Sequence, residues 1–252
     1  MTDIDQGKVG KQAWLVLAAT SLVNLLVGLD TSIASVAFPA LNAAFPQAST
    51  ADLSWVLTFY SVALAGFLIV AGRIADRVGR LRIFNIGMVL FVMASIGVAC
   101  APTVSIIIGM RGLQGFAAAL MTPASLGLLV AAWPVERRTT AVAAWGSVLA
   151  LASSIGPLLG GFIIEFASWR WAFLINVPIG IFALLWGRKI LTESERDGAA
   201  ATPDLIGSML TIVATSSLLL AIVQGPEWGW VSYPLLGLIA FFVVTILALV
   251  RH

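Results

Sequence analysis

Eight stretches of this chain each run for about 20 residues with little or no charge, the length an α-helix needs to cross the hydrocarbon core of a bilayer. They cover residues 13–38, 53–71, 83–100, 104–132, 140–166, 171–187, 205–224 and 232–250. Lipid offers no partner for backbone N–H and C=O groups, so runs of this length fold as helices that satisfy their own hydrogen bonds. The expected fold class is therefore all-α, a polytopic transmembrane helix bundle. Composition agrees: of 252 residues 60% are apolar and 10% charged, more apolar surface than one water-soluble core can hide. Lys8 and Lys11 precede the first run as they would in a signal peptide. That run is longer than a signal-peptide apolar region and contains Asp30, so it reads as a retained span.

An even number of spans returns the chain to its starting side, and the basic residues say which side that is. Lys8, Lys11, Arg73, Arg77, Arg80, Arg82, Arg137, Arg138, Arg188, Lys189, Arg196 and Arg251 fall together on the side of the N-terminus. Only Arg170 falls opposite, and Arg111 lies within a span. The expected location is a cell (inner) membrane with both termini cytoplasmic. Trp14, Trp55, Trp133, Trp169, Trp171, Trp186, Trp228 and Trp230 stand near span edges, where an indole spans the lipid–water boundary, and Trp145 is the exception. The charged stretch 188–204 reads as a cytoplasmic linker, which divides the chain into a terminus (1–12), a six-span unit (13–187), the linker, and a final pair (205–252).

Several functions are disfavoured. With 14 Lys+Arg against 12 Asp+Glu there is no basic face large enough for nucleic acid. A single cysteine, Cys100, and a single histidine, His252, argue against a disulfide framework, a thiol–histidine pair and a histidine metal site. No nucleophile–base pair or phosphate loop stands out, so neither an enzyme nor a cofactor is expected.

Asp30 and Arg111 stand out instead, because a charge within a span is expensive and marks either a functional path or a buried pair. Counting residues from the span ends at 1.5 Å rise places both roughly 10 to 12 Å from the outer surface. At matched depth they can face a shared hydrated space where a carboxylate exchanges protons as access changes, or form a static ion pair that fixes helix packing. Arg111, Gln114, Gly115, Ala118, Thr122 and Ser125 share one helical stripe, which suits a cavity wall or close helix packing. Ala152, Gly156 and Gly160 recur every four residues around Pro157, a pattern for a close helix contact, plain or conformation-dependent. In GRIADRVGRLR (72–82), Asp76 is expected to pair with Arg73, Arg77 or Arg80, and Gly72 and Gly79 to permit a sharp turn. Asp30 with Pro39 and Arg111 with Pro123 hint at a three-plus-three repeat across the first six spans.

Taken together, these stretches resemble the major facilitator superfamily, in particular drug:proton antiporters of the fourteen-span type. GRIADRVGRLR is similar to that family's loop between spans two and three, with Gly72, Asp76, Arg77, Gly79, Arg80 and Arg82 on pattern. LDTSIASVAFPAL (29–41) resembles the first-span motif and RGLQG (111–115) the fourth-span motif. GPLLGG (156–161), with Gly156, Pro157, Gly160 and Gly161, resembles the fifth-span antiporter motif, although Ala152 stands where glycine is usual. WRWAFLINVPIG (169–180) is similar to the start of span six. The resemblance implies a six-helix N-domain with two additional spans, Asp30 and Arg111 in proton coupling, and the loop at 72–82 as a conformational latch. It also implies a proton-coupled multidrug efflux antiporter whose partners are the lipid bilayer, protons and a small lipophilic or cationic substrate. The family's second six-helix half has no counterpart in the sequence, so the expectation includes a missing half or another copy of the chain. The alternatives are a non-transporting truncated membrane protein and a metabolite exporter of the same superfamily.

Overall fold

The computed structural model describes residues 9–193 and 204–251. Lys8, Arg196, His252 and most of the expected linker lie outside the described residues. The first half holds α1 (Lys11–Val36), α2 (Phe38–Ala44), α3 (Thr50–Val78), α4 (Arg80–Ala99) and α5 (Val104–Ala132). After a 3-10 turn at Val135–Arg137 come α6 (Arg138–Phe166), α7 (Trp169–Leu174), α8 (Asn176–Ile190), α9 (Leu205–Trp228) and α10 (Tyr233–Arg251). Among the described residues, eight helical segments are long and apolar enough to cross a membrane, with α7 and α8 together forming one of them.

The helix limits follow local chemistry. Ser49 and Asp52 close a reciprocal capping box at the start of α3, and Gly79, at φ 121°, ends it in a conformation open to glycine. The expectation that Gly72 also makes the turn is corrected. Gly72 lies inside α3, where a Cβ would sit 3.6 Å from Pro123. Apolarity ends where lipid ends, but the backbone ladder runs on to Val78 and carries Arg73, Asp76 and Arg77 on a helix projecting beyond the apolar run. The sixth span, expected as one run, is broken at Ile175. Pro178 has no N–H to donate to the carbonyl of Leu174, four residues back, so the helical hydrogen-bond ladder is interrupted and α8 starts at Asn176, while Ile175 keeps a helical backbone.

Two seams set the bundle. α3 and α5 run parallel, with α4 on the other side of α5, around a core that includes Leu26, Tyr60, Phe84, Met88, Phe91 and Met121. α1 packs along α6 through small residues. A Cβ on Gly28 would lie 2.8 Å from Ala152, and one on Gly160 would lie 3.3 Å from Ile33, while Gly156 is pressed against Ser32. Gly161, by contrast, has open space where a Cβ would go. The last two spans attach through α3. α9 rests on it at Gly66, whose carbonyl accepts from Thr215 Oγ1 (3.4 Å), and α10 packs on α9.

Candidate functional site

Asp30 of α1 and Arg111 of α5 meet in the centre of the bundle. Arg111 Nη1 donates to Asp30 Oδ2 at 2.5 Å, and each residue is 1% exposed. An ion in lipid persists only with hydrogen-bond partners around it, and here Asp30 Oδ1 and Arg111 Nε and Nη1 have them. Asp30 Oδ1 accepts from Gln114 Nε2 (3.1 Å) and Asn176 Nδ2 (2.8 Å). Arg111 Nε donates to the Val56 carbonyl (3.0 Å) and Nη1 also to Gln114 Oε1 (2.9 Å). Gln114 Nε2 passes the network on to Ser95 Oγ (2.8 Å), which donates to the Phe91 carbonyl (2.8 Å). The guanidinium carbon stands 4.3 Å from the Tyr60 ring centre and 5.7 Å from that of Phe173, within reach of cation–π attraction.

Each position has a local cause. Arg111 and Gln114 are three apart on α5 and so share a face. Gly115, one turn below Arg111, lets the α3 backbone close in, since a Cβ there would strike the Tyr60 carbonyl. The same approach carries the Val56 carbonyl, one turn above Tyr60, to the guanidinium. Asn176, at the first position of α8, is fully buried in the core.

The structure thus brings Asp30, Arg111 and Gln114 together but seals them. The shared hydrated space expected between Asp30 and Arg111 is closed in this structure. Of the expected cavity wall, Gly115 packs on α3 and Ala118 lies in the core. Thr122 and Ser125 turn their hydroxyls back to their own helix, at the carbonyls of Ala118 (2.7 Å) and Thr122 (2.8 Å). Sequence reading missed Ser95, Asn176 and Tyr60. The available signal was an asparagine in an apolar run, since polar residues within a span tend to face the bundle interior.

At the other end of α3, Arg80 donates from Nε to Asp76 Oδ1 (2.8 Å), the partner four residues back, and from Nη1 to the Gly127 carbonyl of α5 (3.1 Å). Arg77 is exposed. The carboxylate of Glu193, beyond α8, accepts from the N–H groups of Leu81 (3.0 Å) and Arg82 (3.3 Å) and caps the start of α4. A Cβ at Gly79 would come 2.7 Å from that carboxylate. Corner, α5 and the end of α8 are therefore tied together by residues of the 72–82 stretch.

Among the described residues, an all-helical bundle with eight candidate spans around a hydrogen-bonded ion pair defines a multi-span membrane protein. The chain belongs to the Major Facilitator Superfamily, which matches residues 20–251, and it is not an enzyme. It is 34% identical over 227 residues to a tetracenomycin C resistance and export protein of Streptomyces glaucescens, covering 90% of this chain and 42% of that protein. It is also 34% identical over 241 residues to the probable multidrug resistance protein EmrY of Escherichia coli K12, covering 96% and 46%. The chain spans about half the length of the curated relatives it matches. Among solved structures, the POT family transporter PepTSo superposes with a TM-score of 0.68 at 14% identity, over 95% of this chain and 52% of that one, a likeness of fold.

Proposed function

We propose that this chain forms the first six-helix unit, with two added central spans, of a proton-coupled exporter of small lipophilic or cationic compounds of the fourteen-span type. The observation that carries this reading is the Asp30 carboxylate, buried among helices and held by Arg111, Gln114 and Asn176. When such a group takes up a proton it loses its charge and with it the ion pair to Arg111, and one of the donors now aimed at it must give way to an acceptor. α1, α5 and α8 then have cause to shift, which opens Asp30 and the stripe from Gln114 to Ser125 to one side of the membrane. The Ala152–Gly156–Gly160 seam joins α6 to the helix that bears Asp30, so movement of α6 about Pro157 reaches the carboxylate. Asp76, Arg77, Gly79 and Arg80 act as the latch at the cytoplasmic corner, and Gly72 helps by fitting against Pro123. A second six-helix unit, on the same polypeptide or on another copy, supplies the facing wall of the pathway. Both termini are cytoplasmic and the membrane is the cell membrane. The resistance and export named for the relatives support the substrate class.

The test uses the assembled pathway in everted vesicles. Asp30→Asn is expected to abolish pH-gradient-driven efflux of a lipophilic cation while protein level is unchanged. Unchanged efflux removes Asp30 from the mechanism.

A further inference from the structure

Two buried polar atoms beside the ion pair lack a hydrogen-bond partner, Tyr60 Oη and Asn176 Oδ1, and only the second belongs to a group already bonded to Asp30. Asn176 is 0% exposed, its Nδ2 donates to Asp30 Oδ1 at 2.8 Å, and its Oδ1 has no hydrogen-bond partner. An orphaned acceptor in such a place costs stability and calls for a reason. The neighbouring amide differs. Gln114 accepts from Arg111 through Oε1 and donates through Nε2 to both Asp30 and Ser95, so both ends are committed.

That asymmetry decides which group can answer a proton on Asp30. A carboxylate only accepts, whereas a carboxylic acid must also donate. Arg111 has no acceptor to offer Oδ2, so the new O–H belongs on Oδ1, between Gln114 and Asn176. Turning the Gln114 amide over would set its NH2 against the guanidinium, donor against donor. Turning Asn176 over breaks one hydrogen bond, Nδ2–H to Oδ1, and lets its free oxygen accept the Asp30 O–H instead. The exchange leaves the count of hydrogen bonds on Asp30 intact and moves no heavy atom far, because an amide has nearly the same shape either way round.

We propose that Asn176 is the positioning residue that reads the protonation state of Asp30, its side-chain amide inverting when the carboxylate takes up a proton. This rests on the reading that Asp30 titrates. The charged or titratable groups facing Asp30 are Arg111 of α5 and Tyr60 of α3. α4, α7 and α8 bring Ser95, Phe173 and Asn176, which are neutral, and Glu165, Arg170, Arg188 and Lys189 of α6, α7 and α8 are exposed. Because Asn176 opens α8, its amide links Asp30 directly to the helix that leads to Glu193 and the α4 corner.

The test is pH-difference infrared spectroscopy of the full chain in lipid nanodiscs, grown with isotope-labelled asparagine; the asparagines are Asn24, Asn42, Asn85 and Asn176. On acidification an asparagine side-chain carbonyl band is expected to move to lower frequency in step with the growth of a protonated-carboxyl band. Asp30→Asn is expected to lose both changes. Asn176→Leu is expected to lose the asparagine shift but keep the carboxyl band, displaced to higher frequency because its O–H has lost its acceptor. If Asn176→Leu does not fold, the labelled wild type against Asp30→Asn still decides the matter. A carboxyl band assigned to Asp30 with every asparagine band unmoved, or an asparagine shift that survives Asn176→Leu, overturns the role of Asn176 and leaves proton coupling standing. A carboxyl band that ignores Asn176→Leu but shifts in Tyr60→Phe gives the acceptor role to the phenol and likewise overturns it. Absence of any Asp30 carboxyl band across the pH range overturns proton uptake itself, and this proposal with it.

Discussion

Arg111 carries more of the site than its charge. It bonds a carboxylate, a side-chain amide and a backbone carbonyl while lying over an aromatic ring, and no lysine reproduces that fork. Arg111→Met therefore strands Asp30 as an unpaired buried charge and is expected to cost about 3–5 kcal/mol in denaturant unfolding from mixed micelles. Adding Asp30→Asn to that variant is expected to recover part of the loss, since contacting groups couple by about 0.5–3 kcal/mol. Strictly additive losses would show that the two residues do not act as a pair. Asp30 and Arg111 were legible in the sequence because lipid makes any charge conspicuous. Ser95 and Asn176 were not, because neutral polar residues cost little enough to pass inside an apolar run, and only the fold shows that they point at the same carboxylate.

Among the elements, α6 gives the clearest contrast between a motif and its structural use. Gly156 and Gly161 belong to one sequence motif, yet Gly156 is pressed on Ser32 of α1 whereas a Cβ on Gly161 meets nothing within 4 Å. Gly156→Ala is expected to destabilise by about 1–3 kcal/mol through overpacking, and Gly161→Ala to leave the unfolding midpoint within experimental error. Equal effects would show that the α1–α6 seam is looser than this packing. Spans were easy to place because bilayer thickness fixes their length, and the limits of α5 match the apolar run residue for residue. Among the boundaries that differ, two escaped for different reasons. Hydropathy cannot see α3 running beyond the lipid to Val78, since helix hydrogen bonds do not require apolar side chains. Nor does it see the interruption at Ile175, where Pro178 has no N–H to continue the hydrogen-bond ladder within a continuous apolar span.

For the whole molecule, orientation and coupling are the two claims that remain to be measured. The lone cysteine tests the first: Cys100 is exposed at the end of α4 away from the arginine-rich corner. In intact cells a membrane-impermeant maleimide is expected to label Cys100 from outside, and labelling confined to everted vesicles would reverse the assigned topology. The second claim is that a proton on Asp30 and substrate in the pathway exclude one another. The direct measurement is proton release on adding a lipophilic cation to the assembled transporter in weakly buffered detergent, followed with a pH indicator. Wild type is expected to release protons and Asp30→Asn to release none, whereas equal release from both would contradict a buried Asp30 as the coupling group.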